Sequence, residues 1–202
     1  GRFVGGKGFD YVLQAISRVA AELPDVIFAY AGDHKVFYES FFERWRHLVD
    51  ANAAHLRFLG LITDRQKLAD FYAMCDVFTL PSRTDSFASV QVESMLCGTP
   101  VVATDIPGGR QAVLRSGMGT LVAPQDECAL AEGILRVLRD PAAYVRPADE
   151  IAAVFSTERS IDEYERLFAS LIRGEPFVSR PELTLADVRA ARAACERAPA
   201  NA

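Results

Sequence analysis

The sequence predicts an α/β fold built on a parallel, Rossmann-like sheet with helices on both faces. Three observations predict it. Short apolar runs alternate with longer segments whose apolar residues recur at helical spacing. That alternation is the pattern of βαβ units, in which each parallel strand is covered by a crossover helix. Half of the 202 residues are hydrophobic, enough for a large core that needs neither disulfide nor metal.

The elements follow in order. Residues 1–8 form a Gly-rich loop, and Phe9, Val12, Leu13, Ile16, Val19 and Leu23 repeat at helical spacing behind it. Val26 to Ala31 reads as a buried strand, 36–52 as a helix, Leu56 to Leu59 as a strand and 64–74 as a helix. Val77 to Leu80 is the next strand, and the helix over 86–97 is closed by Gly98 and Pro100, which cannot continue it. Val101 to Thr104 and Thr120 to Val122 complete the strands, and 127–138 is a further helix. Gly174 to Pro181 carries Gly, two Pro and Ser and reads as a linker. Beyond it, Leu183 to Glu196 reads as a peripheral helix and Arg197 to Ala202 as a frayed tail. The expected organisation is one domain over 1–173, then a linker and helix over 174–202. The opening loop looks like one that follows a strand, and an interior first strand is usual in a doubly wound sheet. The natural polypeptide is therefore expected to begin upstream of Gly1.

Composition excludes several classes. With 22 Lys plus Arg against 27 Asp plus Glu, the net charge is −5 and no basic patch suggests nucleic acid. The four cysteines form no C-x-x-C pair, which fits reduced thiols in a cytoplasm. There is no apolar run of membrane-spanning length, and attachment to the inner face of a membrane is compatible with the sequence. His34, His47 and His55 lack metal-ligand spacing, so no metal is expected. Phe41, Phe42 and Trp45 read as core anchors of one helix rather than a ligand cage.

The chemistry concentrates in two places. Arg2 and Lys7 share the Gly-rich loop that feeds a helix, so two cations and the helix's free amides can converge on an anion. Asp85 and Glu93 stand eight residues apart, about 12 Å at ~1.5 Å per residue if a helix begins near Ser86. In isolation, such a pair would be an N-capping aspartate and an ordinary helix-surface glutamate.

The run Pro81-Ser82-Arg83-Thr84-Asp85-Ser86-Phe87-Ala88-Ser89-Val90-Gln91-Val92-Glu93, followed by Ser94 to Ala103, resembles the acidic-x7-Glu block of retaining GT-B glycosyltransferases of family four. Glycogen synthases, sucrose synthases and bacterial mannosyl- and glucosyltransferases share that block. The resemblance extends over Arg2 with Lys7-Gly8, Tyr30 to Asp33, Leu56 to Gly60, Asp76 to Ser82 and Gly117 to Pro124. It implies the C-terminal, nucleotide-sugar-binding half of such an enzyme, without the N-terminal half that carries most of the acceptor site. It implies transfer of a hexose from a UDP- or GDP-sugar, with retention, to a glycan, lipid-linked or small-molecule acceptor.

By the same resemblance, Arg2 and Lys7 bind the donor diphosphate and Glu93 accepts the ribose hydroxyls. Asp85 faces the hexose, and the amides of Phe87, Ala88 and Ser89 hold phosphate oxygens. Arg2, Lys7 and Asp85 are then the catalytic residues. Three positions depart from the family pattern: Asp85 stands where Glu is usual, Ala88 where Gly is common, and Arg110 where an acid is frequent. A module that binds nucleotide sugar without turnover is the alternative. A response-regulator-like domain would need clustered acids at the ends of its first strands, which the sequence does not supply.

Overall fold

The computed structural model describes residues 1–33, 36 and 40–197, with no side-chain description for 194–197. His34, the Cys195 side chain and the tail beyond 197 therefore fall outside what is described. Helices and strands alternate: α1 (Phe9–Glu22), β1 (Phe28–Ala31), α2 (Phe41–Ala51), β2 (Leu56–Gly60), α3 (Arg65–Ala73) and β3 (Phe78–Leu80). They continue as α4 (Ser89–Leu96), β4 (Val101–Thr104), α5 (Pro107–Ser116), β5 (Gly119–Val122) and α6 (Glu127–Arg139). Three helices close the described chain: α7 (Ala148–Val154), α8 (Thr157–Arg173) and α9 (Leu185–Arg197).

Every strand pairing is parallel, as the α/β reading requires, but the strands fall into two ladders, β1-β2 and β3-β4-β5. β4 is central to the larger ladder and buried at all four positions, so it reads as a continuous apolar run. Its pleat sends Val102 to one face, against α1 and α6, and Val101 with Ala103 to the other, against Met95, Met118 and Ile151. Helices thus cover both faces. α6 approaches closely because Gly133 has no side chain: a Cβ there would lie 2.5 Å from Val122 Cγ1. Around β1-β2 the core is aromatic, with Phe3 stacked on Phe9 at 5.1 Å and edge-on to Tyr30 and Phe41. Phe41, Phe42 and Trp45 belong to this cluster, in agreement with their reading as core anchors.

Capping residues fix the ends of several helices. Asp64, Asp126 and Ser156 accept from the amides of Lys67, Ala129 and Arg159, and Gly117 and Gly174 take the left-handed conformation behind α5 and α8. Some boundaries differ from the sequence reading. α2 begins at Phe41; Val36 and Ser40 are not helical, and 37–39 lie outside the described residues. α4 begins at Ser89 rather than Ser86. The C-terminal helix α9 buries Leu185 and Val188 against Val154, and Arg189 and Arg192 pair with Glu150 and Asp149 of α7.

Candidate functional site

The loop opening the chain lies between the two ladders. The Gly1 amine donates to Ala31 O at 2.7 Å and the Phe3 amide to Asp33 O at 3.2 Å, beside the C-terminal end of β1. Beyond β3, the Arg83 amide donates to Gly6 O at 2.9 Å. Residues Gly5–Lys7 form one 3-10 turn, closed by Gly8 at φ 67°. That position demands glycine twice over: the left-handed backbone disfavours other residues, and a Cβ would lie 1.9 Å from Pro81 O.

This close approach brings Lys7 to Asp85. Lys7 Nζ and Asp85 Oδ2 are 2.8 Å apart, with Ser82 Oγ at 3.5 Å from the same oxygen. The sequence-predicted cation and first acid are therefore paired, and Asp85 is no N-cap, since α4 starts four residues later. An ammonium has three donors. One directed at Asp85 leaves two for an anion, so the pair restrains Lys7 without saturating it.

Arg83, missed by the motif reading, holds the loop from the opposite side. Its guanidinium binds Asp10 bidentately, at 2.9 Å to Oδ1 and 2.5 Å to Oδ2, and also donates to Gly5 O. It lies 4.3 Å over the Tyr11 ring. Asp10 is only 4% exposed, so its charge depends on this fork. The hydrogen bonds to Asp10 are the main cause raising the Arg83 pKa above its ordinary value.

The second half of the motif is built differently from the expected continuous helix. Residues 84–88 are non-helical, so the 1.5 Å rise applies only from Ser89 to Glu93 and the expected 12 Å spacing has no helical basis. Ala88 is the N-cap and is buried in the core cluster that also holds Met95 and Met118. The Ser89 amide closes a tight turn onto Phe87 O at 3.1 Å. Among the described residues, the Phe87 and Ala88 amides meet no backbone acceptor. The Phe87 ring is 43% exposed and tilts against Phe155 at 6.2 Å.

Glu93 accepts from the Tyr72 hydroxyl at 3.1 Å and lies 3.4 Å from Ser89 Oγ. Arg2 is exposed on the opening loop. Arg110 turns back on Asp105, with Nε 2.7 Å from Oδ1. His47 stacks on Trp45, and His55 Nδ1 lies 3.0 Å from Val26 O.

Helices on both faces of parallel strands, with loops at the strands' C-terminal ends, match the fold of the C-terminal domains of GT-B glycosyltransferases. The family model for "Glycosyl transferases group 1" matches residues 1–140, and the chain belongs to that family. A D-inositol 3-phosphate glycosyltransferase of Catenulispora acidiphila is 38% identical over 112 residues, 54% of this chain and 27% of that protein. The sucrose-phosphate synthase of Thermosynechococcus elongatus superposes with a TM-score of 0.70 at 30% identity, covering 87% of this chain and 45% of that one. HepE of Anabaena, solved in complex with UDP, superposes with a TM-score of 0.64 at 21% identity over 97% of this chain and 47% of its own. The chain thus spans less than half the length of these relatives.

Proposed function

We propose that this chain is the donor half of a retaining glycosyltransferase that moves a hexose from a UDP- or GDP-sugar to a glycan, lipid-linked or small-molecule acceptor. The observation that carries the reading is the ion pair between the Lys7 turn and Asp85, on the loop that leads into α4 and its Glu93. In this reading Arg2 and Lys7 face the diphosphate. As the bond from the anomeric carbon to the phosphate oxygen breaks, the electron pair leaves with the diphosphate, and these cations offset the growing charge. Asp85, held by Lys7, accepts from a hexose hydroxyl, and Glu93 accepts from the ribose diol in charge-assisted hydrogen bonds. The chemistry needs no metal here, because the two cations supply the positive charge. The remaining acceptor contacts belong to a second half of the kind the longer relatives have room for. A cytoplasmic location suits the half-buried free thiols of Cys75, Cys97 and Cys128.

The test is titration of the chain with UDP, GDP and the corresponding hexose donors. Glu93→Ala should weaken nucleotide and donor alike, and transfer by the full enzyme should survive EDTA. Unchanged nucleotide affinity in Glu93→Ala removes the ribose assignment. Activity lost to EDTA and restored by a divalent ion contradicts the metal-free mechanism. Donor binding with neither transfer nor hydrolysis by the full enzyme would favour a binding module.

A further inference from the structure

Glu93 sits on α4, but what fixes its carboxylate lies on another helix. Tyr72, in the last turn of α3, is 5% exposed, and its hydroxyl donates to Glu93 Oε2 at 3.1 Å. The residue is held at three points. Its ring meets Phe78 edge-on at 5.7 Å, its carbonyl accepts from Thr99 Oγ1 at 2.6 Å, and its hydroxyl engages Glu93. Phe78 lies on β3, so the phenol is referenced to the ladder from which the Asp85 loop departs.

A buried hydroxyl needs some partner, and a backbone carbonyl would satisfy it. A glutamate at the edge of a site is a different partner. Its side chain has several rotatable bonds, and binding a ligand through it freezes them unless they are already fixed. A carboxylate offers four acceptor directions, so one donor on Oε2 and a weak contact from Ser89 on Oε1 leave room for two vicinal hydroxyls. Burial first, and Glu93 next, push the Tyr72 phenol above its ordinary range, so it remains a donor whenever Glu93 is an acceptor.

We propose that Tyr72 is a positioning residue for the donor's ribose: its hydroxyl holds the Glu93 carboxylate in the orientation that receives the 2′- and 3′-hydroxyls, without touching the nucleotide itself. The inference rests on the reading of Glu93 as the ribose ligand.

The experiment is calorimetric titration of the chain with UDP and GDP, each beside its 2′,3′-dideoxy counterpart, for wild type, Tyr72→Phe, Glu93→Ala and the double variant. Tyr72→Phe keeps the ring and its packing, and thermal melts confirm folding. Tyr72→Phe should weaken the ribose nucleotide about tenfold, the size of one hydrogen bond to a charged group, and leave the dideoxy form unchanged. In the Glu93→Ala background it should add nothing. Equal weakening of both nucleotides, full additivity with Glu93→Ala, or no change in ribose-nucleotide affinity overturns the positioning role while leaving Glu93 assigned. If Glu93→Ala itself fails to discriminate ribose from dideoxyribose, the ribose reading falls and the Tyr72 role falls with it.

Discussion

Gly108, the second residue of α5, is pressed against the loop that carries Asp85. A Cβ placed there would lie 2.0 Å from Asp85 O, 2.4 Å from Ser86 O and 2.5 Å from Asp85 C. All three are backbone atoms, so no side chain can swing aside. The loop must retreat by at least about 1 Å for tolerable contact. Two effects compete in Gly108→Ala. Helix propensity alone favours Ala by up to about 1 kcal/mol. Overpacking of a close backbone contact costs about 1–3 kcal/mol. α5 cannot easily yield, because Gln91 Nε2 ties its Gly109 carbonyl to α4 at 3.0 Å. The clash should win by about 1–2 kcal/mol, a melting temperature lower by roughly 2–8 °C in a domain of this size. The displaced loop would also pull Asp85 from Lys7, so affinity for the intact donor should fall more than affinity for UDP or GDP. Thermal melts with parallel titrations measure both. A variant that melts higher and binds the donor unchanged would refute the close-packing argument.

Further outcomes follow from the same contacts. Arg83→Ala strips the buried Asp10 of its fork and should cost about 3 kcal/mol in denaturant unfolding, with Arg83→Lys intermediate because it keeps charge but not bidentate geometry. Asp85→Ala releases Lys7, so titration should show UDP or GDP binding as well as in wild type or better, and the sugar donor binding more weakly. Cys75 has its thiol pKa raised, first by burial and then by Asp76. A raised pKa means less thiolate at neutral pH. Alkylation followed by mass spectrometry should therefore be slower at Cys75 in the folded chain than in the urea-unfolded chain.

The strands were legible because buried parallel strands leave uninterrupted apolar runs, and β4 matches its expected bounds residue for residue. α5 was hidden by Pro107-Gly108-Gly109, which reads as a loop. Proline is tolerated in the first helical turn, and both glycines answer close approaches, Gly108 to the Asp85 loop and Gly109 to Thr104 O. α8 carried visible signals, Ser156 before it and Gly174 after it, with Ile161, Tyr164, Phe168 and Leu171 at helical spacing. In the candidate site, spacing and motif single out Lys7, Asp85 and Glu93. Their partnerships were not legible, because Lys7 and Asp85 stand 78 residues apart, Arg83 and Asp10 73, and Tyr72 and Glu93 21. Only the fold brings such pairs together.

The most direct test of the proposed donor site is a backbone chemical-shift titration of the isotope-labelled chain with a UDP-hexose and a GDP-hexose. The expected result is saturable perturbation concentrated at Arg2–Gly8 and Asp85–Glu93, with Tyr72 included and α8 and α9 silent. Perturbation scattered over the surface, centred on α8 or α9, or absent at millimolar donor would contradict the assignment of these residues to a nucleotide-sugar site.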